Sequence, residues 1–154
     1  MRPNAVRAWC TVSLARRLRT LGSFYGAMPA HDGLWDSARE TAHDVAARLA
    51  IVPMVLEARA LDVTPMTVAK FVAAGDERSA RILQRIVDDE IRHVRFGTKH
   101  FIACAQASGE PPESLWKMLV TRHFRGAVKP PFNDSARGKA GLPRSFYTGL
   151  ATPV

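Results

Sequence analysis

The chain has 154 residues, of which 47% are apolar, and its 22 basic and 14 acidic side chains give a formal charge of +8. A chain of this length can bury one modest core, and it contains neither the apolar run of ~20 residues that a membrane span needs nor a secretion signal. With only two cysteines, Cys10 and Cys104, the composition predicts a single-domain cytoplasmic protein with no membrane partner.

Helix signals follow one another along most of the chain. The first helix is predicted over residues 4–21, and a loop with proline and glycine separates it from a second helix over residues 36–60. Thr64 followed by Pro65 is typical of a helix start and predicts a short helix over residues 64–74.

A long helix follows, with Asp76 as its N-cap and Gly109 as its stop. Residues 110–113 open another short helix, and residues 129–154 are predicted to be mostly loop. No strand pair or internal repeat is visible in the sequence. The pattern therefore predicts an all-α fold, a helical bundle formed as one domain over residues 1–154.

Two polar side chains, Glu90 and His93, interrupt the apolar face of the long helix. That face is formed at helical spacing by Ile82, Leu83, Ile86, Glu90, His93, Gly97 and Phe101. Because burying an unpaired charge is costly, such residues are usually paired or bound to a metal ion. Residues three apart lie on one helix face, so the carboxylate and the imidazole can bind the same ion.

A third polar residue, Glu57, lies inside the apolar run 51–61 of the preceding helix. Pro53 in the same run should bend the helix or cost it a hydrogen bond. Taken alone, Glu57 could snorkel to the surface or pair with Arg59 or Arg92. Its position therefore becomes informative only together with the polar pair on the long helix.

Glu57, Glu90 and His93 match one half of a known ligand pattern. Di-metal carboxylate bundles use one Glu from each of two helices and a Glu-x-x-His from each of two others. Mixed oxygen and nitrogen ligands suit iron or manganese, and Asp89 could orient the imidazole of a ligand. The hypothesis requires the carboxyl oxygens of Glu57 and Glu90 to lie within about 6 Å of each other, close enough to share an ion.

A second Glu-x-x-His, formed by Glu40 and His43, competes for the same role. His43 precedes Glu57 by about 21 Å along a helix axis, so the two cannot share one centre. In the alternative interpretation, Glu40 is exposed near a helix start and His43 is a polar boundary residue. We favour Glu57, and the two assignments differ in whether Glu57 or His43 faces Glu90.

Three segments, YGAMPAHDGLW, LEARALDVTP and HFRGAVKPPFN, carry a resemblance to a known family. They closely resemble an uncharacterised bacterial family with a ferritin-like domain, domain-of-unknown-function family 455, over about residues 13–133. The resemblance implies a ferritin-like bundle, similar to di-iron carboxylate proteins that include ferritins and a tRNA hydroxylase. It also implies Glu57, Glu90 and His93 as the metal ligands of the second half-site. No established activity comes with it.

The chain departs from this family at its N-terminus. Family members carry an earlier helix with a Glu and then a Glu-x-x-His, whereas Arg7 and Cys10 stand here where the latter pair is expected. Residues 1–12 are therefore divergent, and the bundle is expected to be truncated, with three of six ligands left. Weakly bound iron and no metal at all fit this set equally, and enzymatic activity stays open because relatives could be di-iron oxidoreductases.

An incomplete bundle should leave apolar side chains uncovered and favour self-association. The candidates for such exposure are Val52, Val55, Leu56, Val94 and Phe101. Two copies of the chain about a two-fold axis could also supply six ligands, which makes a homodimer a candidate assembly.

The basic residues are concentrated at the two ends of the chain. Residues 1–30 carry a net charge of +5, residues 31–121 of −2 and residues 122–154 of +5. Basic ends can bind RNA or an acidic partner, which makes a basic binding module or a structural remnant without metal the alternative function. A solvated surface is the simpler interpretation, because no aromatic-interleaved basic motif of a known nucleic-acid module is visible.

Overall fold

The computed structural model describes residues 3–150, with side chains from Trp9 onwards, so the Arg7 side chain lies outside the described part. Over the described residues the fold is all-α, as predicted, with no strand; the ferritin-like identity stays a prediction. The helices are α1 (Pro3–Thr20), α2 (Gly33–Glu40), α3 (Val45–Ile51), a π-helical turn (Val52–Glu57), α4 (Ala58–Ala73), α5 (Glu77–Ser108), α6 (Pro112–His123), α7 (Asp134–Lys139) and α8 (Arg144–Tyr147).

The described residues divide into two compact units. The first contains residues up to 32 together with residues 64–89. In it, Asp76 caps α5 as predicted, accepting the Ser79 N–H at 3.0 Å. Arg17 on α1 donates to Ser79 at 2.8 Å and to the Asp76 carboxylate at 2.7 Å. The hydrogen bonds from the Ser79 side chain and backbone, followed by that from Arg17, hold the pKa of the Asp76 carboxyl far below its usual value.

The second unit contains residues 33–63 and 90 onwards. Its core combines residues of α3, the π turn and α4 with side chains of α5 and α6. Fully buried members include Ala50, Ile51, Met54, Leu61, Val94, Phe101 and Trp116. The Trp116 indole N–H donates to the Ala50 carbonyl at 3.3 Å, so its polar atom is satisfied inside the core.

The described segment after residue 128 is mostly loop, as predicted, but two short helices that were not predicted, α7 and α8, form within it. The Asn133 side chain caps α7 by accepting the Ala136 N–H at 3.1 Å. Arg137 on α7 donates two hydrogen bonds, at 2.8 and 2.7 Å, to the buried carboxylate of Asp62 on α4. The segment is therefore ordered by a contact between residues 75 apart in sequence, which its local composition does not indicate.

The predicted boundaries of the second and third helices are also wrong. The chain leaves the helix over residues 41–44, and Asp44 starts α3 by accepting the Ala47 N–H at 3.0 Å. Further on, the helix does not stop before Pro65, which lies inside α4. Pro65 has no N–H to offer the Leu61 carbonyl one turn back. The side-chain amide of Asn133 donates to that carbonyl instead, at 3.2 Å, which lowers the cost of an interior proline.

The expected exposure is not found for three of the five candidate residues: Val94 and Phe101 are fully buried and Val55 is 8% exposed. Val52 and Leu56 are half-buried. Large apolar side chains are exposed elsewhere, with Tyr25 at 87% and Met28 at 73% among them. Of the helices that the structure describes, none is both long and apolar enough to cross a membrane.

Candidate metal centre

Glu57 is the last residue of the π turn, and the turn sets the direction of its side chain. Pro53 lies in the first part of the turn, where its missing N–H breaks the α-helical hydrogen-bond pattern. The Ala58 N–H instead reaches back five residues to the Pro53 carbonyl. Where the sequence predicts a bend or a lost hydrogen bond, the structure has a single π-helical turn, a feature that is frequent at functional sites.

Gly97 allows α5 to approach this turn closely. A Cβ atom at Gly97 would lie 2.4 Å from both Cβ and Cγ of Pro53, a distance that no side chain tolerates. Pro53 thus packs directly against the backbone of α5. Glu57 lies four residues after Pro53, and His93 lies four residues before Gly97. The close contact between Pro53 and Gly97 therefore also makes Glu57 and His93 neighbours.

Glu57, Glu90 and His93 converge within the second unit. Each offers one ligand atom, and these atoms all lie within 4.8 Å of one another. The predicted approach of Glu57 to Glu90 is therefore confirmed. His93 Nδ1 lies 3.1 Å from Glu90 Oε2, as expected for residues three apart on one helix face.

The three side chains are half-buried rather than sealed. The exposed fractions are 21% for the Glu90 side chain and 29% for that of His93, so an ion and its water ligands can reach the cluster. Two carboxylates held this close repel each other when both are charged, and a cation between them removes that repulsion. The arrangement is thus suited to holding a divalent ion.

The competing pair is not brought to this cluster. Glu40 forms an ion pair with Arg125 at 3.2 Å, and its side chain is 43% exposed. His43 is exposed, and its ring lies 5.9 Å from that of His123. The geometry favours Glu57 over His43 as the neighbour of Glu90.

Two further residues near the centre have different outcomes. Asp89 is buried, and its carboxylate lies 3.5 Å from the Arg85 guanidinium; its predicted role beside an imidazole ligand stays a prediction. The supporting role of Gly97 was missed by sequence reasoning. One signal could have indicated this role. Gly97 lies one turn beyond His93 on a buried stripe and faces a helix with an interior proline.

Comparison with known proteins identifies relatives of unknown activity. The family described as "Protein of unknown function (DUF455)" matches residues 11–148. An uncharacterized protein of Haemophilus influenzae is 40% identical over 125 residues, which cover 81% of this chain and 43% of the relative. The chain therefore spans less than half the length of that relative. No solved structure matches the chain.

Proposed function

We propose that this chain, which belongs to the DUF455 family of proteins of unknown function, binds one transition-metal ion through Glu57, Glu90 and His93. The observation that supports the proposal is the convergence of their ligand atoms within 4.8 Å. Two atoms bound about 2.1 Å from one ion are at most roughly 4.2 Å apart, so only a small side-chain movement is needed to close the site.

The donor set favours iron or manganese. Carboxylate oxygens suit manganese and other hard divalent ions, whereas an imidazole nitrogen suits iron and its later neighbours. Two oxygens and one nitrogen therefore fit ferrous iron or Mn²⁺ better than an all-oxygen Mg²⁺ site or a thiolate site. Three protein ligands leave positions for water or a substrate.

The same set corresponds to half of the ligands in a ferritin-like di-metal bundle, which contributes one Glu and one Glu-x-x-His per half. We therefore propose that the fold is ferritin-like and that the three residues of this chain account for one ion. A bound iron would supply one-electron redox chemistry. The residues themselves hold the ion, and the His93–Glu90 contact orients the imidazole.

Metal analysis tests the proposal. The parent chain and the variants His93→Ala and His43→Ala are loaded with ferrous iron without oxygen, or with Mn²⁺, desalted and assayed for metal per chain. We expect about one ion per chain in the parent and in His43→Ala, and little in His93→Ala. Equal metal in all three proteins, or loss only in His43→Ala, would overturn the assignment.

The oligomeric state of the loaded protein separates two versions of the site. One ion bound to a monomer supports a mononuclear site completed by water. A dimer that forms only with metal, and not in His93→Ala, would instead show that a second copy supplies the remaining ligands. Light scattering on the loaded and metal-free proteins distinguishes the two.

A further inference from the structure

A basic groove lies in the first unit, and its lining includes none of the residues of the proposed metal centre. It has a volume of about 420 Å³ and lies between α1 and the first three turns of α5. We define the arginine groove by Trp9 and Arg16 on α1 and by Arg78, Arg81 and Arg85 on α5. The arginines of α5 are three and four residues apart, so they form one stripe along the helix.

Three of these arginines have no acidic partner. Arg16, Arg78 and Arg81 are exposed, and no carboxylate in the described part of the chain lies within ion-pair distance of them. Arg85 differs, because its guanidinium lies 3.5 Å from the Asp89 carboxylate. Like charges gathered without counter-charges create a positive potential that attracts an anion.

An aromatic ring completes the groove. Trp9 is 43% exposed, and the Arg85 guanidinium lies 5.7 Å from the centre of its ring. This cation–π contact holds the indole beside the free arginines. The groove therefore offers, side by side, a flat apolar platform and three uncompensated guanidinium groups.

We propose that the arginine groove binds single-stranded nucleic acid, with a base stacked on Trp9 and backbone phosphates on Arg16, Arg78 and Arg81. Aromatic stacking combined with a positive groove is the usual basis of such binding. A duplex keeps its bases inside its own stack and would leave Trp9 unused. An anionic bilayer is flat and would contact protruding side chains rather than those that line a groove.

Fluorescence anisotropy tests this proposal with labelled 12-nucleotide single strands of RNA and of DNA. Three phosphate contacts predict a slope of about −2 in log K against log salt, so affinity should fall roughly 20-fold between 50 and 200 mM salt. The double variant Arg78→Gln/Arg81→Gln should lose most of the affinity and reduce the slope by about 1.4. If the RNA and DNA strands differ in affinity, the more tightly bound one identifies the class of the natural ligand.

Two controls separate this site from general charge effects. Lys99→Gln/Arg122→Gln removes the same charge from exposed positions of the second unit and should leave binding unchanged. Trp9→Leu should weaken binding at least about fivefold, whereas Trp9→Phe keeps a platform and most of the affinity. The metal-site variant His93→Ala should bind as the parent does, so failure of one proposal is distinguishable from failure of the other.

The proposal is overturned by several results. These are no binding by the parent chain, equal losses in the two double variants, and identical affinities for Trp9→Leu and Trp9→Phe. Binding to vesicles with 30% phosphatidylserine, without binding to either single strand, would also overturn it in favour of a membrane surface.

Discussion

Arg137 and Asp62 form a buried ion pair that joins α7 to α4. Their side chains are 3% and 0% exposed, and Asp62 also accepts the Asn133 N–H at 2.9 Å. The Arg137 guanidinium lies 5.0 Å from the ring centre of Phe132 and 4.6 Å from that of Tyr147. Burial, followed by the hydrogen bond to Asp134, raises the pKa of Tyr147 to about 12, so its hydroxyl stays protonated and can donate at neutral pH.

We predict that Arg137→Met lowers the free energy of unfolding by about 3 kcal/mol, because the buried Asp62 carboxylate loses two hydrogen bonds and keeps only the Asn133 N–H and the Arg59 guanidinium 3.5 Å away. Urea denaturation measures the loss. Arg122→Met, at an exposed position, is the matched control and should change stability by no more than about 0.5 kcal/mol. A similarly small effect for Arg137→Met would show that the Arg137–Asp62 ion pair does not hold α7 against α4.

Asp76 provides a prediction about pH. Its pKa is lowered on folding from 3.8, so its charged form stabilises the folded state. This contribution to stability is present at pH values above 3.8 and is lost as the pH falls towards the pKa of the folded state. Asp76→Asn should therefore be less stable than the parent at pH 7 and pH 5, by a difference that begins to shrink at pH 3. Urea titrations at the three pH values measure it, and a difference independent of pH would contradict the prediction.

At the scale of elements, the contact between the π turn and α5 determines where Glu57 lies. We predict that Gly97→Ala destabilises the chain by about 1–3 kcal/mol, because the new methyl group meets Pro53 and pushes the helices apart. The same separation should weaken metal binding. Thermal or urea denaturation and metal titration of the same variant test both effects.

Gly138→Ala is the matched control for this substitution. Gly138 lies in α7, and a Cβ there meets nothing within 4 Å. Alanine should therefore leave metal binding unchanged and raise stability by up to about 1 kcal/mol, through its better helix propensity. Equal effects of the two substitutions would show that close approach at Gly97 is unimportant.

Local signals predicted some elements well and failed for others. The extent of α5 was predicted from Asp76 and Gly109, because a helix cap and a helix stop depend only on residues next to the helix ends. The continuation of α4 through Pro65 is supported by a hydrogen bond from Asn133 to the Leu61 carbonyl, about seventy residues away in sequence. No local pattern contains that information, so the sequence indicated a helix boundary where the folded chain has none.

For the whole molecule, the three candidate metal ligands were easier to recognise in the sequence than the features around them. Glu90 and His93 stood out because they interrupt an apolar stripe, and Glu57 because it lies within an apolar run. The arginine groove was not predictable in this way, since Trp9 and Arg78 are far apart in sequence and only the packing of α1 against α5 brings them together. The one-domain, ferritin-like organisation remains a prediction.

The most direct test of the metal centre is anomalous diffraction from crystals of the chain grown with Mn²⁺. We predict an anomalous peak about 2.0–2.3 Å from a carboxylate oxygen of Glu57, a carboxylate oxygen of Glu90 and a ring nitrogen of His93. No peak at these residues, or a peak at Glu40 and His43 instead, would contradict the proposed centre.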